Sequence, residues 1–90
     1  MKYIYQLSDE LSDKAAGFKE FANGAAQASV VLNDKLEYGG LLVSGGRYVV
    51  AMRNESDLPF RIEDIADIFQ TAEDENPANR GGWDFWDDWG

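Results

Sequence analysis

Residues 41–53 read LLVSGGRYVVAMR, and this stretch decides the fold. Both of its ends are rich in aliphatic residues, and residues 47–53 have the composition of a strand. Ser44-Gly45-Gly46 lies between the two ends, where paired glycines permit the positive φ angles of a tight primed turn. The stretch therefore predicts an antiparallel β-hairpin.

More strands are predicted on the N-terminal side of this hairpin. Residues 28–32 are strand-like, and the turn residues Asn33-Asp34-Lys35 connect them to a strand over residues 36–43. Gly39-Gly40 predicts a bulge or bend in that strand. These strands form an antiparallel meander, and the alternating residues 2–7 predict a first strand that joins it.

Two amphipathic helices are predicted as well. The first is capped by Ser8 or Ser12 and stops at Asn23-Gly24, and its apolar stripe consists of Leu11, Ala15, Phe18, Ala22 and Ala25. The second follows from the i, i+3, i+4, i+7 spacing of Ile62, Ile65, Ala66 and Phe69.

The predicted fold class is α+β, a mostly antiparallel sheet of about four strands with two helices on one face. Residues 1–72 are expected to form a single domain. Residues 73–90 are expected to form an acidic, aromatic C-terminal tail.

The net charge lies in the C-terminal part of the chain, residues 55–90. Residues 1–54 hold six acidic and six basic residues, whereas residues 55–90 hold eleven acidic and two basic residues and so account for the whole charge of −9. The same part contains all three tryptophans. A neutral body with an acidic, aromatic end indicates a surface that meets a basic partner.

The missing residue types exclude several function classes. The chain has no histidine and no cysteine, so it lacks the usual general base at neutral pH and the usual zinc and copper ligands. No glycine-rich phosphate loop appears. We therefore expect a non-enzymatic protein without a cofactor or a bound metal.

Charge and hydropathy also limit the partners. Direct binding to nucleic acid is disfavoured, because phosphate contacts rely on Lys and Arg. No apolar run approaches the length of a membrane span. The absence of cysteine fits a reducing compartment, and we expect a cytoplasmic protein.

The acidic residues on and after the predicted second helix are the first candidate site. They are Glu63, Asp64, Asp67, Glu73, Asp74 and Glu75. A line of exposed carboxylates could occupy the nucleic-acid groove of a partner, while the alternative is a solvated outer face that keeps the protein soluble. Dense like charge lowers the stability of a free protein, which favours the functional interpretation.

The end of the tail is the second candidate site. Its residues are Trp83, Asp84, Phe85, Trp86, Asp87, Asp88 and Trp89. Tryptophan is enriched at binding hot spots, and the carboxylates would steer it to a basic pocket. Alternatively the rings fold back onto the sheet, because a large exposed aromatic patch is unusual on a monomer. The sequence leaves both interpretations open.

The ninety residues, the strong negative charge, the lack of catalytic residue types and the α/β pattern resemble small acidic phage-type inhibitors. This class includes anti-CRISPR, anti-restriction and other nucleic-acid-mimicking proteins. The segment Asp84-Phe85-Trp86-Asp87-Asp88 is also similar to the C-terminal tails of single-stranded DNA-binding proteins. Here Trp89-Gly90 replaces the Pro-Phe ending of those tails, and the basic groove of that family is missing.

The resemblance to phage inhibitors implies a decoy that binds a basic, nucleic-acid-binding surface of a target protein. Such a decoy would act in phage anti-defence or host takeover. Two alternatives remain. One is an immunity protein or antitoxin that plugs a basic toxin. The other is an accessory subunit that docks a larger assembly through its C-terminal tail.

Overall fold

A four-stranded antiparallel sheet forms the centre of the fold in the computed structural model, which describes residues 5–21, 24–78 and 83. The strands are β1 (Ala25–Leu32), β2 (Glu37–Ser44), β3 (Tyr48–Met52) and β4 (Ile65–Phe69), in the order β3-β2-β1-β4 across the sheet. Within these residues there are two α-helices, α1 (Asp9–Ala15) and α2 (Ala72–Glu75). The predicted α+β class and antiparallel sheet are confirmed.

The hairpin at the centre of the sequence forms as predicted. Gly45 and Gly46 have φ angles of 62° and 68°, and the Arg47 N–H donates to the Ser44 carbonyl at 3.1 Å. Positive φ at both central residues is the signature of a primed turn, whose twist matches that of the flanking strands. The predicted bulge is also present, because the pairing of β1 with β2 shifts register opposite Gly39 and Gly40.

The fourth strand is not where the sequence predicted it. We expected an amphipathic helix at Ile62–Phe69, and this expectation is wrong: Ile62–Asp64 is one 3-10 turn and Ile65–Phe69 is β4, paired with β1. The pairing shifts register between Val31 and Leu32. Because of this irregularity, Ile65 and Ile68 are both buried although they are three residues apart. A spacing of three between buried residues resembles the period of a helix.

The N-terminal segment pairs with the other edge of the sheet. Gln6 bridges to Tyr48, the Leu7 N–H donates to the Arg47 carbonyl at 2.8 Å, and the Val49 N–H donates to the Tyr5 carbonyl at 2.9 Å. The predicted first strand is therefore a short antiparallel bridge over its described part, and residues 2–4 lie outside the described residues. This bridge covers the outer edge of β3.

Helix α1 is shorter than predicted. It begins after Ser8, whose side chain accepts from the Leu11 N–H, and its C-cap is Ala16. Its C-terminal end lies on the hairpin turn, since the Ser12 hydroxyl donates to the Gly46 carbonyl at 2.8 Å. A Cβ on Gly46 would stand 3.0 Å from the Ala16 Cα, so glycine is required there by both φ and space.

The two faces of the sheet differ in chemistry. The first face carries the main core, which is made of Leu7, Ala15, Ala28, Val30, Leu32, Leu41, Val43, Val49, Met52, Ile65 and Ile68. Because side chains alternate along a strand, Gln27 and Ser29 point to the second face. There a smaller cluster of Leu42, Val50 and Ala51 packs with Phe21, Ala25, Tyr48 and Trp83.

The helices pack on opposite faces of the sheet, which corrects the prediction that both lie on one face. Helix α1 contributes Ala15 to the first-face core. Helix α2 contributes Asp74 to the second face, where it accepts hydrogen bonds from Gln27 and Ser29. Asp74 and Trp83 therefore contact the sheet from beyond the domain boundary predicted after residue 72.

Candidate protein interface

Glu63 and Asp64 lie on the 3-10 turn that leads into β4. Glu63 is exposed, and its Oε2 accepts from Arg61 Nε at 3.1 Å. Asp64 is half-buried, and its backbone carbonyl accepts from the Asn33 N–H at 2.9 Å. This backbone bond attaches the turn to the β1–β2 connection.

Asp67 lies on β4, the edge strand on the far side of the sheet from β3. Its Oδ1 accepts from Lys14 Nζ at 2.7 Å and from the Ile68 N–H at 2.9 Å. The hydrogen bond from Lys14 lowers the pKa of this carboxyl below its ordinary value. A carboxylate that covers an edge N–H also hinders the addition of another strand.

The three acidic residues of α2 have different environments. Glu73 and Glu75 are exposed, whereas Asp74 is only 2% exposed. Asp74 Oδ1 accepts from Gln27 Nε2 at 2.8 Å, and Oδ2 accepts from Ser29 Oγ at 2.8 Å and from the Thr71 N–H at 3.0 Å. Its prediction as one of a line of exposed charges is wrong, because its carboxylate is enclosed by donors of its own chain.

Trp83 lies against the second face of the sheet. Its ring stacks on Phe21 with centroids 5.3 Å apart, and the Arg53 guanidinium carbon stands 3.8 Å from the centroid of the Trp83 ring. The indole Nε1 donates to the Gly40 carbonyl at 2.9 Å. The Trp83 ring therefore packs on the sheet of its own chain, which agrees with the folded-back alternative for this one residue.

The other predicted tail residues lie outside the described residues. They are Asp84, Phe85, Trp86, Asp87, Asp88 and Trp89. Their assignment to a binding site stays a prediction.

The structure adds one carboxylate that the sequence did not single out. Asp34, in the β1–β2 connection, lines a cavity of about 240 Å³ together with Leu32, Asn33 and Asp64. We call Asp34, Glu63, Asp64 and Asp67 the acidic edge. Turn chemistry identified Asp34 as a loop residue, but only the pairing of β1 with β4 brings that loop to the 3-10 turn.

A second cavity lies beside Glu63. It has a volume of about 340 Å³ and is lined by Gln6, Ser8, Leu11, Ile62, Glu63 and Ile65. Its aliphatic side chains adjoin one exposed carboxylate, a combination that suits the stem and charged head of a Lys or Arg side chain. The acidic edge therefore has apolar surface next to its charge.

Comparison with protein-family models, curated proteins and solved structures gave no match. Among the described residues, no group of three or more acidic side chains is placed to hold a metal ion. None of the helices in the described part of the chain is long and apolar enough to cross a membrane. The acidic edge and the environment of Trp83 are the distinctive surface features of the described residues.

Proposed function

We propose that the protein is a non-enzymatic inhibitor that binds a basic, nucleic-acid-binding surface of a target protein through its acidic edge. The resemblance to phage inhibitors makes the cytoplasm of a bacterial host the expected compartment. The exposed Glu73 and Glu75 of α2 and the acidic tail add to the same negative field. Such a field accelerates encounter with a basic partner and disfavours acidic ones.

The grouping of four carboxylates at one edge of the sheet carries this proposal. Within the described residues, the salt bridges that reach them are those of Lys14 to Asp67 and Arg61 to Glu63. The Arg61–Glu63 pair is largely exposed and the Lys14–Asp67 pair is about half exposed, so both contribute little to stability. A partner's Lys and Arg side chains could replace them at little cost.

The spacing of the carboxylates also supports a nucleic-acid-binding target. Asp64 and Asp67 are three residues apart, which corresponds to roughly 10 Å along an extended chain. Each strand of duplex DNA carries one charge per about 3.4 Å of helix axis. The acidic edge is therefore a sparser row of charge than a phosphate backbone, and its spacing suits a basic groove that contacts about every third phosphate of one strand.

Charge reversal tests the acidic edge. The variant Glu63→Lys, Asp64→Lys, Asp67→Lys should lose binding to the target captured from a bacterial lysate while its circular dichroism spectrum stays that of the wild type. The matched control is Asp13→Lys, Glu20→Lys, Glu37→Lys, which changes the net charge equally at exposed positions elsewhere. Equal retention of binding by both variants would contradict the role of the acidic edge.

A competition assay separates the inhibitor from the accessory subunit. With the purified target, an inhibitor at the nucleic-acid surface should raise the apparent dissociation constant for nucleic acid in proportion to its concentration. An accessory subunit should leave that constant unchanged and form a ternary complex. Capture of a basic toxin with no nucleic-acid substrate would instead support the antitoxin alternative.

A further inference from the structure

The second face of the sheet holds an indole in a site built from three elements. Phe21 precedes β1, Gly40 belongs to the β2 bulge, and Arg53 follows β3. Together they meet Trp83 through a stacked ring, a carbonyl acceptor and a guanidinium group. We call Phe21, Gly40 and Arg53 the indole slot.

The backbone of the slot is shaped by the glycine. Gly40 has a φ of 72°, and a Cβ there would lie 3.3 Å from the Arg53 side chain. Its carbonyl also accepts from the Arg53 N–H at 3.1 Å. Because a carbonyl oxygen has two lone pairs, the bulge can pair with β3 and still accept from an indole.

The Arg53 side chain is held in position from the other side. Its Nη2 donates to Gln27 Oε1 at 3.1 Å, and Gln27 Nε2 donates to the buried Asp74. The guanidinium therefore has a fixed partner independent of Trp83. The Arg53 guanidinium is therefore oriented by Gln27 of β1, and a binding site needs such supporting contacts behind its functional groups.

The contacts select a tryptophan side chain over other aromatic residues. Only indole combines a wide ring for stacking and cation–π attraction with an N–H donor at its edge. Phenylalanine would lose the bond to the Gly40 carbonyl. Tyrosine carries its donor at a different place on the ring.

We infer that Phe21, Gly40 and Arg53 form a docking site for a tryptophan side chain, which the chain's own Trp83 fills in cis and which also accepts the same side chain supplied in trans by a second copy of this chain. This inference does not require that the acidic edge have a target.

A titration with a short peptide tests the slot. The probe is the acetylated and amidated tetrapeptide of residues 81–84, Gly-Gly-Trp-Asp, added to the ¹⁵N-labelled full chain carrying Trp83→Ala. Saturable amide shifts at Phe21, Gly40 and Arg53 are expected. In the wild type, cis docking acts at an effective concentration on the order of 1 mM, so for a peptide dissociation constant of about 0.1 mM the same shifts should need roughly tenfold more peptide.

Two controls make the result specific. The peptide with Trp83→Phe should bind about fivefold more weakly, the loss expected for one hydrogen bond of about 1 kcal/mol. The peptide with Trp83→Ala should cause no saturable shift. If the Trp83→Ala protein does not fold, the full-length Trp83→Phe variant replaces it, and it should be half-saturated at a lower peptide concentration than the wild type.

The absence of saturable shifts in a folded variant would overturn the inference. Equal shifts with the Trp83→Ala peptide would also overturn it, because the site would then not recognise the indole. Shifts confined to residues remote from the slot would have the same consequence.

Discussion

At the scale of single residues, Asp74 shows how a carboxylate can serve the fold rather than a partner. It is both the N3 residue of a capping box with Thr71 and the acceptor for two buried donors of β1. The capping box satisfies N–H groups at the start of α2. The buried carboxylate is tolerated because Gln27, Ser29 and the Thr71 N–H all donate hydrogen bonds to it.

Replacing Asp74 should therefore destabilise the protein. Asp74→Ala leaves the buried Gln27 and Ser29 donors without their acceptor and removes a cap, at a cost of about 3 kcal/mol. For a domain of this size the melting temperature should fall by more than about 10 °C. Thermal denaturation followed by circular dichroism measures the change.

The neighbouring Glu75 provides the control for Asp74. It lies on the same helix and is exposed, so Glu75→Ala should change the stability by less than about 0.5 kcal/mol. Similar melting temperatures for the two variants would show that the Asp74 network does not stabilise the fold.

Asp67 predicts a dependence of stability on pH. The hydrogen bond from Lys14 lowers the pKa of Asp67 in the folded state, and the ordinary value for an unfolded chain is about 3.9. A lowered folded pKa stabilises the protein above the unfolded pKa, and this stability is lost as the pH falls through the folded pKa. The Asp67→Asn variant should therefore be less stable than the wild type near neutral pH and approach it in strong acid.

The expected size of this effect is small. The two side chains are 47% and 51% exposed, so solvent screening limits the difference to about 0.5 kcal/mol, or about 2–4 °C in melting temperature. Melting curves of both proteins at about pH 7, about pH 4 and about pH 2 measure it. Asp13→Asn removes a charge beside Lys14 without breaking the pair, and a difference of the same size for this variant would exclude a specific role of Asp67.

At the scale of elements, local turn chemistry made the β1–β3 meander predictable. Gly45 and Gly46 define a turn that few other residues adopt, and Asn33-Asp34-Lys35 behaves as expected, with Lys35 at a φ of 72°. These signals depend on a few neighbouring residues. These turns can therefore be predicted from the sequence without knowledge of the tertiary contacts.

The β4 strand could not be predicted in the same way, because its period depends on its partner. Four apolar residues spaced i, i+3, i+4, i+7 fit a helix. In the strand, the register shift against β1 is what allows Ile65 and Ile68, three residues apart, both to be buried. The isoleucines of this segment do favour strand over helix. That preference is the one local signal that could have identified β4.

The sequence identified most of the acidic residues of the candidate site, but it did not predict how the fold arranges them. Glu63, Asp64 and Asp67 are at the surface, as their chemistry suggests, but a turn and an edge strand replace the predicted helix face. Asp34 joins them through a contact between segments thirty residues apart in the sequence. Distant pairing of this kind leaves no trace in a single sequence.

At the scale of the whole molecule, the uneven charge distribution is the dominant feature. Residues 55–78 hold eight acidic residues and one basic residue, and all but one of these carboxylates are exposed or half-buried. Like charges at a surface repel one another and destabilise the compact state. A basic partner would relieve this repulsion on binding.

The self-repulsion predicts that salt stabilises the free protein. Raising the NaCl concentration from about 10 mM to about 150 mM shortens the Debye length from about 30 Å to about 8 Å and so screens most of the repulsion between exposed carboxylates. We expect a gain of about 0.5 kcal/mol, or about 2–4 °C in melting temperature. The Glu63→Lys, Asp64→Lys, Asp67→Lys variant, in which the excess negative charge is largely removed, should gain less than half as much. A melting temperature of the wild type that stays constant or falls over this range would show that the charge of the free protein is already compensated, and it would remove the energetic argument for a basic partner.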